Sequence, residues 1–334
     1  MGRAELKHTP EDFQVIEEMG VDFTGEGEFL WIECMRRGMN TADVSKLLAT
    51  HCQVSPRAVS QSGLKDRQAE ATQWFCVHLP GKPDPDLRGL PALGVQVLRS
   101  QRHQKKLRTG THQGNRFVIR LRDLSGSEEA LAARCETLAR QGVPNYFGPQ
   151  RFGRRSDNVR QAAQLYASRR RRGRHLTGLL HSAARSFIFN QALAVRVRDG
   201  SWRSGGEDEI WMLAGTRSTF GPEPFTQDLE QRCHAGDISP TGPLPGKNIP
   251  DSWPRREREL LEGYPALCQG LAAAGLTPSR RRLVLRPGAF SWRLAAGDLW
   301  LEFGLGRGEF ATAVIRELLT TDASETGTAR PADQ

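Results

Sequence analysis

Residues 63–75 read GLKDRQAEATQWF and combine a short charged loop with the start of a strand. The loop opens on glycine and places one carboxylate, Asp66, between two cations, Lys65 and Arg67. Neighbouring positive charge favours the ionised form of a carboxylate, and a nucleophile or general base must be ionised. The segment therefore indicates a reactive aspartate just before the buried strand Trp74–Leu79, although a surface turn with a local ion pair uses the same residue types.

Strand patterns surround this segment. Phe13–Glu18 alternates between its two faces, and Glu28–Cys34 (EFLWIEC) predicts a second strand. Asn115–Arg122 (NRFVIRLR) alternates as well, with Asn115 and Phe117 on one face and three arginines on the other. Two helices are predicted for this half of the chain. The first begins after the N-cap residue Asn40, and the second spans Ser127–Gln141.

After Pro144 the pattern becomes helical and then returns to strands. The predicted helices are Asp157–Arg172, Ser182–Arg198, Arg255–Glu262 and Glu309–Leu319. The predicted strands are Arg282–Leu285, Phe290–Leu294 and Leu299–Phe303. Between them, Pro222–Pro254 is dense in Gly and Pro, which indicates a loop-rich stretch. A β-rich start, a helical middle and a β-rich return indicate an insertion in an α+β domain.

The charge of the 334-residue chain is unevenly distributed. Its formal net charge is +9, and its composition is that of a globular protein. Gln101–Arg122 holds seven Lys or Arg and no acid, and Arg151–Arg174 holds nine with one acid. The rest of the chain carries 31 bases and 37 acids. Two concentrated basic segments on a mildly acidic body indicate a surface for nucleic acid or another phosphate-rich partner.

Other patterns argue against several classes of protein. No apolar run reaches the length of a transmembrane helix, and Met1–Phe13 lacks the apolar core of a secretory signal. The six cysteines are scattered without metal-ligand spacing, which predicts reduced thiols in a cytoplasmic protein and no structural zinc. No P-loop, dinucleotide or HExxH pattern is present, so we expect neither a metal nor a cofactor.

Seven motifs in a fixed order give the chain a family resemblance. GLKDRQAEATQWF resembles the GxKDxxA…QWF motif around the catalytic aspartate of the TruD family of tRNA pseudouridine synthases. The other six are K-x(2)-PEDFxVxE (Lys7–Glu17), GxGE (Gly25–Glu28), HxKKLRxGxxxGNxF (His103–Phe117), GVPNYFGxQRFG (Gly142–Gly153), SAxRSxxFN (Ser182–Asn190) and FATxxxREL (Phe310–Leu318). They span nearly the whole chain, and together they are far more specific than any one of them.

The resemblance implies an α+β (mixed α/β) fold of two domains. Residues 1–142 and 283–334 would form a pseudouridine synthase catalytic domain built on a largely antiparallel mixed sheet. Residues 143–282 would form an inserted α/β TRUD domain.

The resemblance also implies an isomerase that converts a specific uridine of tRNA to pseudouridine. The uridine would lie in the D-arm region, at the expected position 13. The aspartate would attack the uridine or its sugar and break the glycosidic C–N bond, after which the uracil turns and rejoins through carbon. This chemistry consumes no cofactor or metal. The implied partner is tRNA, and nothing in the sequence calls for a membrane, an obligate protein partner or more than a monomer.

Roles for single residues follow from the matched motifs. Asp66 would be the nucleophile, and Lys7 would form an ion pair with it. Asn115 would hydrogen-bond near the aspartate and the target nucleotide, and Phe117 would stack on the flipped base. Two further substrate-contacting positions are matched by Phe13 and Phe310. Taken singly, each phenylalanine would be assigned to the core.

The two basic segments receive a role from the same resemblance. A uridine inside folded tRNA is stacked and must be extruded before it reacts. Contacts with phosphates supply the affinity and the register for such a reaction. RNA-backbone contacts are therefore predicted at Arg102, Lys105, Lys106, Arg108, Arg169 and Arg170. A solvated charged face is the alternative.

Two other functions fit parts of the pattern. A non-catalytic tRNA-binding protein or RNA chaperone would keep the same fold, but binding alone requires none of Lys7, Asp66 and Asn115. An RNA methyltransferase requires a glycine-rich loop for its methyl donor after the first strand, and the sequence contains none.

Overall fold

The structure, a computed structural model, describes residues 2–153, 155–168 and 173–321. These residues form two compact units. The first contains residues 2–135, 287–308 and 318–321, and the second contains the described parts of 136–286 together with 309–317. The predicted domain boundaries after residues 142 and 282 stay a prediction.

The strands and helices of the described residues are numbered in chain order. The strands are β1 (Arg3–Leu6), β2 (Phe13–Glu18), β3 (Phe29–Arg36), β4 (Val59–Gln61), β5 (Glu70–His78), β6 (Val95–His103), β7 (Gly114–Arg122), β8 (Val143–Pro144), β9 (Glu209–Leu213), β10 (Thr219–Glu223), β11 (Ile238–Leu244), β12 (Ser279–Arg282), β13 (Val284–Leu285), β14 (Gly288–Ala295), β15 (Asp298–Gly306) and β16 (Thr320–Thr321). The helices are α1 (Thr41–His51), α2 (Glu128–Gln141), α3 (Asn158–Ala167), α4 (Arg174–Arg198), α5 (Gln227–Ala235), α6 (Arg255–Glu262), α7 (Pro265–Ala273) and α8 (Ala311–Leu318). The predicted α+β class is confirmed.

A mixed sheet organises the first unit. Among the described residues it has ten strands, in the central order β14-β15-β7-β2-β5-β3-β6, with β4 paired to β5, β1 to β7 and β16 to β1. Only the β2–β5 and β1–β16 pairs of this described sheet are parallel. The sheet is therefore largely antiparallel, as predicted. Its register places Val15 opposite Phe117, and Phe117 opposite Phe303, so that three neighbouring strands share one apolar layer.

Helix α1 closes a second apolar layer of the first unit. Its residues Val44 and Leu48 are fully buried in one cluster with Phe75 and Val77 of β5. Burying a side chain of this size stabilises the fold by about 1.5–3 kcal/mol. The helix begins after Asn40, whose N–H donates to the Asp43 carboxylate (3.3 Å) in the reciprocal arrangement of a capping box. This packing fixes the first turn of α1, which lies against the Asp66 loop.

The second unit contains a smaller sheet and most of the helices. Its described sheet has the order β10-β9-β11-β12, and β8 pairs with β13 separately. The 25-residue helix α4 carries Leu180, Ala184 and Ile188, which are buried with Trp253 and Leu271 in one core cluster. The apolar positions recur every three to four residues, as expected for a helix with one buried face.

Several elements differ from the sequence prediction, for identifiable reasons. Strand β11 lies within the stretch Pro222–Pro254 that was predicted to be rich in loops. The strand was missed because it contains Pro240 and Pro243, and prolines argue against a paired strand. Helices α5 and α7 and strand β6 were not predicted, because the two helices have only nine residues each, too few for a clear helical period, and the second half of β6 is polar. The helix predicted for Asp157–Arg172 ends at Ala167, and Ser168 is already extended. Residues 169–172 lie outside the described residues.

Candidate active site

Asp66 lies on an irregular loop between β4 and β5, and buried polar side chains hold the backbone of this loop. The fully buried Arg36 of β3 donates from Nη1 to the carbonyl oxygen of Asp66 (3.1 Å) and from Nη2 to that of Lys65 (3.1 Å). Burial lowers the pKa of the Arg36 guanidinium, and attraction by Asp66 and Asp43 opposes this shift. The guanidinium thus fixes the peptide groups on both sides of the Asp66 α-carbon.

A second pair of side chains holds the start of the same loop. The Thr41 hydroxyl accepts a hydrogen bond from the Lys65 N–H (3.0 Å) and donates to Gln73 Oε1 (3.1 Å). Gln73 in turn donates from Nε2 to the Gly63 carbonyl oxygen (2.5 Å). A Cβ atom on Gly63 would lie 3.3 Å from the His112 ring, so glycine permits this close packing. Because these side chains belong to α1 and β5, the loop conformation is set by the surrounding core.

The carboxylate of Asp66 forms an ion pair with Lys7. The Lys7 ammonium lies 2.5 Å from Asp66 Oδ2, and the two side chains are 14% and 27% exposed. Asp66 Oδ1 accepts a hydrogen bond from the Gln68 N–H (3.1 Å). Lys7 also lies 4.4 Å from the centre of the Phe13 ring. The pair is therefore partly screened from water while one side of the carboxylate remains accessible.

The cation next to Asp66 in sequence is directed elsewhere. The Lys65 ammonium lies 2.7 Å from Glu17 Oε1 and donates to Asn115 Oδ1 (2.5 Å). Burial lowers the pKa of the Lys65 ammonium, and the Glu17 carboxylate opposes this shift. Since an ammonium group only donates hydrogen bonds, this contact orients the Asn115 amide with its NH₂ group as the remaining donor. Glu17 and Lys65 were not predicted, although each lies within a recognised motif.

The aromatic residues predicted for the first unit pack together beside this ion pair. The rings of Phe13 and Phe117 meet edge to face with centroids 6.0 Å apart. Phe117 also stacks on Phe303 (5.6 Å) and is 7% exposed. The structure therefore brings Lys7, Phe13, Asp66, Asn115 and Phe117 together in the first unit.

The segment that carries Lys7 is held by a buried ion pair. Asp12 accepts two hydrogen bonds from the Arg122 guanidinium (2.9 Å each) and one from the Thr9 N–H (2.9 Å). Burial acts to raise the pKa of Asp12, but the bonds from Arg122 and Thr9 outweigh it and lower the pKa. Arg122 lies on the polar face of β7, opposite the face that carries Phe117.

We expect this ion pair to make the fold sensitive to acid. A carboxylate with a lowered folded pKa stabilises the fold above its unfolded pKa of about 4, and this contribution is lost as the pH falls through the folded pKa. Asp12→Asn should therefore cost about 1–3 kcal/mol of unfolding free energy at pH 7 and progressively less below about pH 4. Urea unfolding across this pH range measures the difference. Arg122→Met and the double variant complete the cycle, and additive costs would show that the two side chains are not coupled.

The predicted phosphate contacts of the first basic segment divide into two groups. Lys105, Lys106 and Arg108 are exposed on residues 104–113, called the basic loop, and form no ion pair within the described residues. The Gly110 N–H ties this loop to the Asp66 loop by donating to the Ser62 carbonyl oxygen (2.6 Å). Arg102 instead pairs with Asp84 (2.5 Å) and donates to three backbone carbonyl groups. Arg102 is thus engaged within the protein.

The remaining predicted site residues belong to the second unit or lie outside the described residues. Phe310 packs against Phe147 (centroids 6.0 Å apart), and the Arg151 guanidinium lies 5.8 Å from its ring. Its contact with substrate stays a prediction. Arg169 and Arg170 lie outside the described residues, so their phosphate contacts stay predictions as well.

In residues 2–153, 155–168 and 173–321 no group of three or more His, Cys, Asp or Glu side chains is arranged to hold a metal ion. Within the same part of the chain, no helix combines the length and the apolar character that a membrane crossing requires. All six cysteines are free thiols, and five of them are buried. The predictions of a cytoplasmic location and a monomer stay open to experiment.

Comparison with known proteins gives the same family along the whole chain. The family model described as tRNA pseudouridine synthase D (TruD) matches residues 2–166 and 159–318. The chain is 43% identical to the tRNA pseudouridine synthase D of Xanthomonas euvesicatoria, with 94% of this chain and 91% of the relative covered. It is 43% identical to that of Pseudomonas entomophila (96% and 92% covered) and 39% identical to that of Aeromonas hydrophila (99% and 95% covered). A crystal structure assigned as tRNA pseudouridine synthase D from Methanosarcina mazei has the same fold, with a TM-score of 0.69, 22% identity and 95% and 93% of the two chains covered. The chain belongs to the tRNA pseudouridine synthase D (TruD) family.

Proposed function

We propose that this protein isomerises uridine 13 of tRNA to pseudouridine and that Asp66 is its catalytic group. Membership of the family makes the chain a tRNA pseudouridine synthase, which is an isomerase. The position of the uridine and the role of Asp66 are our proposal. The observation that supports it best is the Lys7–Asp66 ion pair, held at 2.5 Å on a loop whose backbone is fixed by buried side chains.

The chemistry follows from the structure of the product. Pseudouridine forms when the N1–C1′ bond of uridine breaks and a C5–C1′ bond replaces it, so that N1 gains a proton and the C5 proton leaves to solvent. Asp66 acts on the nucleotide to break the first bond. The ammonium of Lys7 keeps this carboxylate anionic until it reacts, because an opposite charge at this distance favours the charged form.

The neighbouring side chains supply recognition. The NH₂ group of Asn115 is a hydrogen-bond donor, since its oxygen is occupied by Lys65, and it suits an acceptor of the uridine or its ribose. Phe117, next to Phe13 and Phe303, offers an aromatic ring for the extruded base. Phe310 is a further substrate contact that the family motif implies.

The position of the modified uridine is tested with unmodified tRNA transcripts. Incubation with the wild-type protein, carbodiimide treatment and primer extension should produce one new stop, at position 13. A transcript with cytidine at position 13 is the matched control and should produce none. A folded protein that binds tRNA but modifies no position would contradict the proposal and indicate the non-catalytic tRNA-binding function.

We further expect Lys105 and Lys106 of the basic loop to contact phosphates. Replacing both by glutamine should weaken tRNA binding and lower the slope of log K against log salt by about 1–2, since each phosphate contact contributes about 0.7–0.9. Filter binding between 50 and 200 mM salt measures this slope. A variant with Arg57→Gln and Lys82→Gln removes the same charge from exposed positions outside the basic loop. Equal slopes for the two variants would show that the basic loop does not contact the phosphates of the RNA.

A further inference from the structure

A single exposed leucine stands beside the proposed catalytic group. Leu64 is 76% exposed, more than any other large apolar side chain among the described residues. It lies two positions before Asp66 in the chain. Burial of a leucine stabilises a protein, and an exposed leucine does not contribute this stabilisation. Isolated apolar residues are common on protein surfaces, so exposure alone indicates nothing.

The backbone on both sides of Leu64 is held in place. The preceding carbonyl group, that of Gly63, accepts from Gln73, and the following N–H, that of Lys65, donates to Thr41. The Lys65 side chain between Leu64 and Asp66 points inward and is 6% exposed. Leu64 is 76% exposed and the Asp66 side chain is 27% exposed, on either side of this buried lysine. The loop therefore exposes Leu64 and Asp66 while Lys65 between them is buried.

The loop also adjoins the positively charged surface. The basic loop is joined to Ser62, two residues before Leu64, by the hydrogen bond from Gly110. An RNA strand whose phosphates contact Lys105 and Lys106 would thus pass close to the Asp66 loop. An apolar side chain held at this place meets the faces of bases rather than their charged backbone.

We propose that Leu64 is an RNA-contacting wedge, which packs against the faces of the bases next to the target uridine when that uridine leaves the stack. This inference rests on the proposed function. Extrusion of a base costs a few kcal/mol of stacking, and apolar side chains inserted at a base step cover the exposed faces. Leu64 offsets part of this cost, and because the loop backbone is held in place, the wedge contacts the neighbours of the nucleotide on which Asp66 acts.

The test compares two RNA substrates. One is the folded tRNA transcript, and the other carries abasic sites on both sides of the target uridine, so that no neighbouring base stacks on it. Leu64→Ala should lower kcat/KM about 10- to 30-fold on the folded transcript, which corresponds to losing most of the contact area of the leucine. It should change kcat/KM on the abasic substrate by less than about threefold. Leu64→Phe should retain most of the activity on both substrates.

Matched controls separate the possible failures. Leu93 is 53% exposed in the same unit, and Leu93→Ala should leave both rates unchanged. If Leu64→Ala loses the same kcat/KM on both substrates, or loses none on either, the wedge proposal is wrong. The activity of the wild-type protein would then still support the proposed function. Wild-type protein that is inactive on both substrates would overturn the proposed function, and the wedge with it. The melting temperature should be the same for all variants, because neither leucine is buried.

Discussion

Asp66→Asn is expected to abolish pseudouridine formation, with a fall in kcat of at least about 10,000-fold. The substitution keeps the size of the side chain and removes the negative charge with which, in our proposal, Asp66 acts on the nucleotide. The backbone of the loop is held by Arg36, Thr41 and Gln73, so its conformation should survive the change. Single-turnover assays on the tRNA transcript measure the loss.

The affinity of this variant for tRNA is the necessary control. Phosphate contacts supply most of the affinity for a nucleic acid, so Asp66→Asn should bind the transcript as wild type does. Its melting temperature should also be close to that of wild type. Asp22→Asn, which changes an exposed carboxylate of the same unit, is the matched variant and should remain active. If the kcat of Asp66→Asn lies within tenfold of that of wild type, Asp66 is not the catalytic group.

Lys7→Met is expected to have the second largest effect, a fall in kcat of about 100- to 1,000-fold. The ammonium is the positive charge at 2.5 Å from the carboxylate in a partly buried site, where electrostatic interactions are stronger than in water. Methionine retains the apolar stem of the side chain but loses the ammonium group that lies over the Phe13 ring. The same single-turnover assay measures the loss.

The conservative variant distinguishes charge from packing. Lys7→Arg keeps the positive charge and should recover more activity than Lys7→Met, although its planar group does not reproduce the geometry of an ammonium. If Lys7→Met and Lys7→Arg lose the same activity, the position acts through shape and not through charge. If Lys7→Met retains more than half of the wild-type rate, the ion pair has no role in the reaction.

The elements of the first unit were predictable because their patterns are regular. Phe13–Glu18 has the bounds of β2, and Asn115–Arg122 lacks one residue of β7. In the second unit the prolines of β11 concealed a strand, since proline removes a backbone donor and normally marks a loop. Periodicity gave no information on which strands are neighbours, because pairing depends on contacts between distant parts of the chain.

The family motifs predicted the residues that the structure brings together, but not the side chains that hold them. The charges next to Asp66 in sequence indicated a local interaction with Lys65 and Arg67, and only the family resemblance implied the ion pair with Lys7, 59 residues away, that the structure contains. In the sequence, Arg36 has the pattern of a solvated charge at a strand end. The fold shows instead that it is buried against the carbonyl groups of Lys65 and Asp66. A single sequence gives no signal for such contacts.

Release of the C5 hydrogen tests the central claim most directly. When the base rejoins the ribose through C5, the hydrogen on that atom leaves to solvent, so a transcript containing [5-³H]uridine loses tritium with each turnover. We predict that excess wild-type protein releases one tritium per tRNA. Asp66→Asn should release none, and a transcript with cytidine at position 13 should lose none. Folded wild-type protein that binds the transcript and releases no tritium would contradict the central claim.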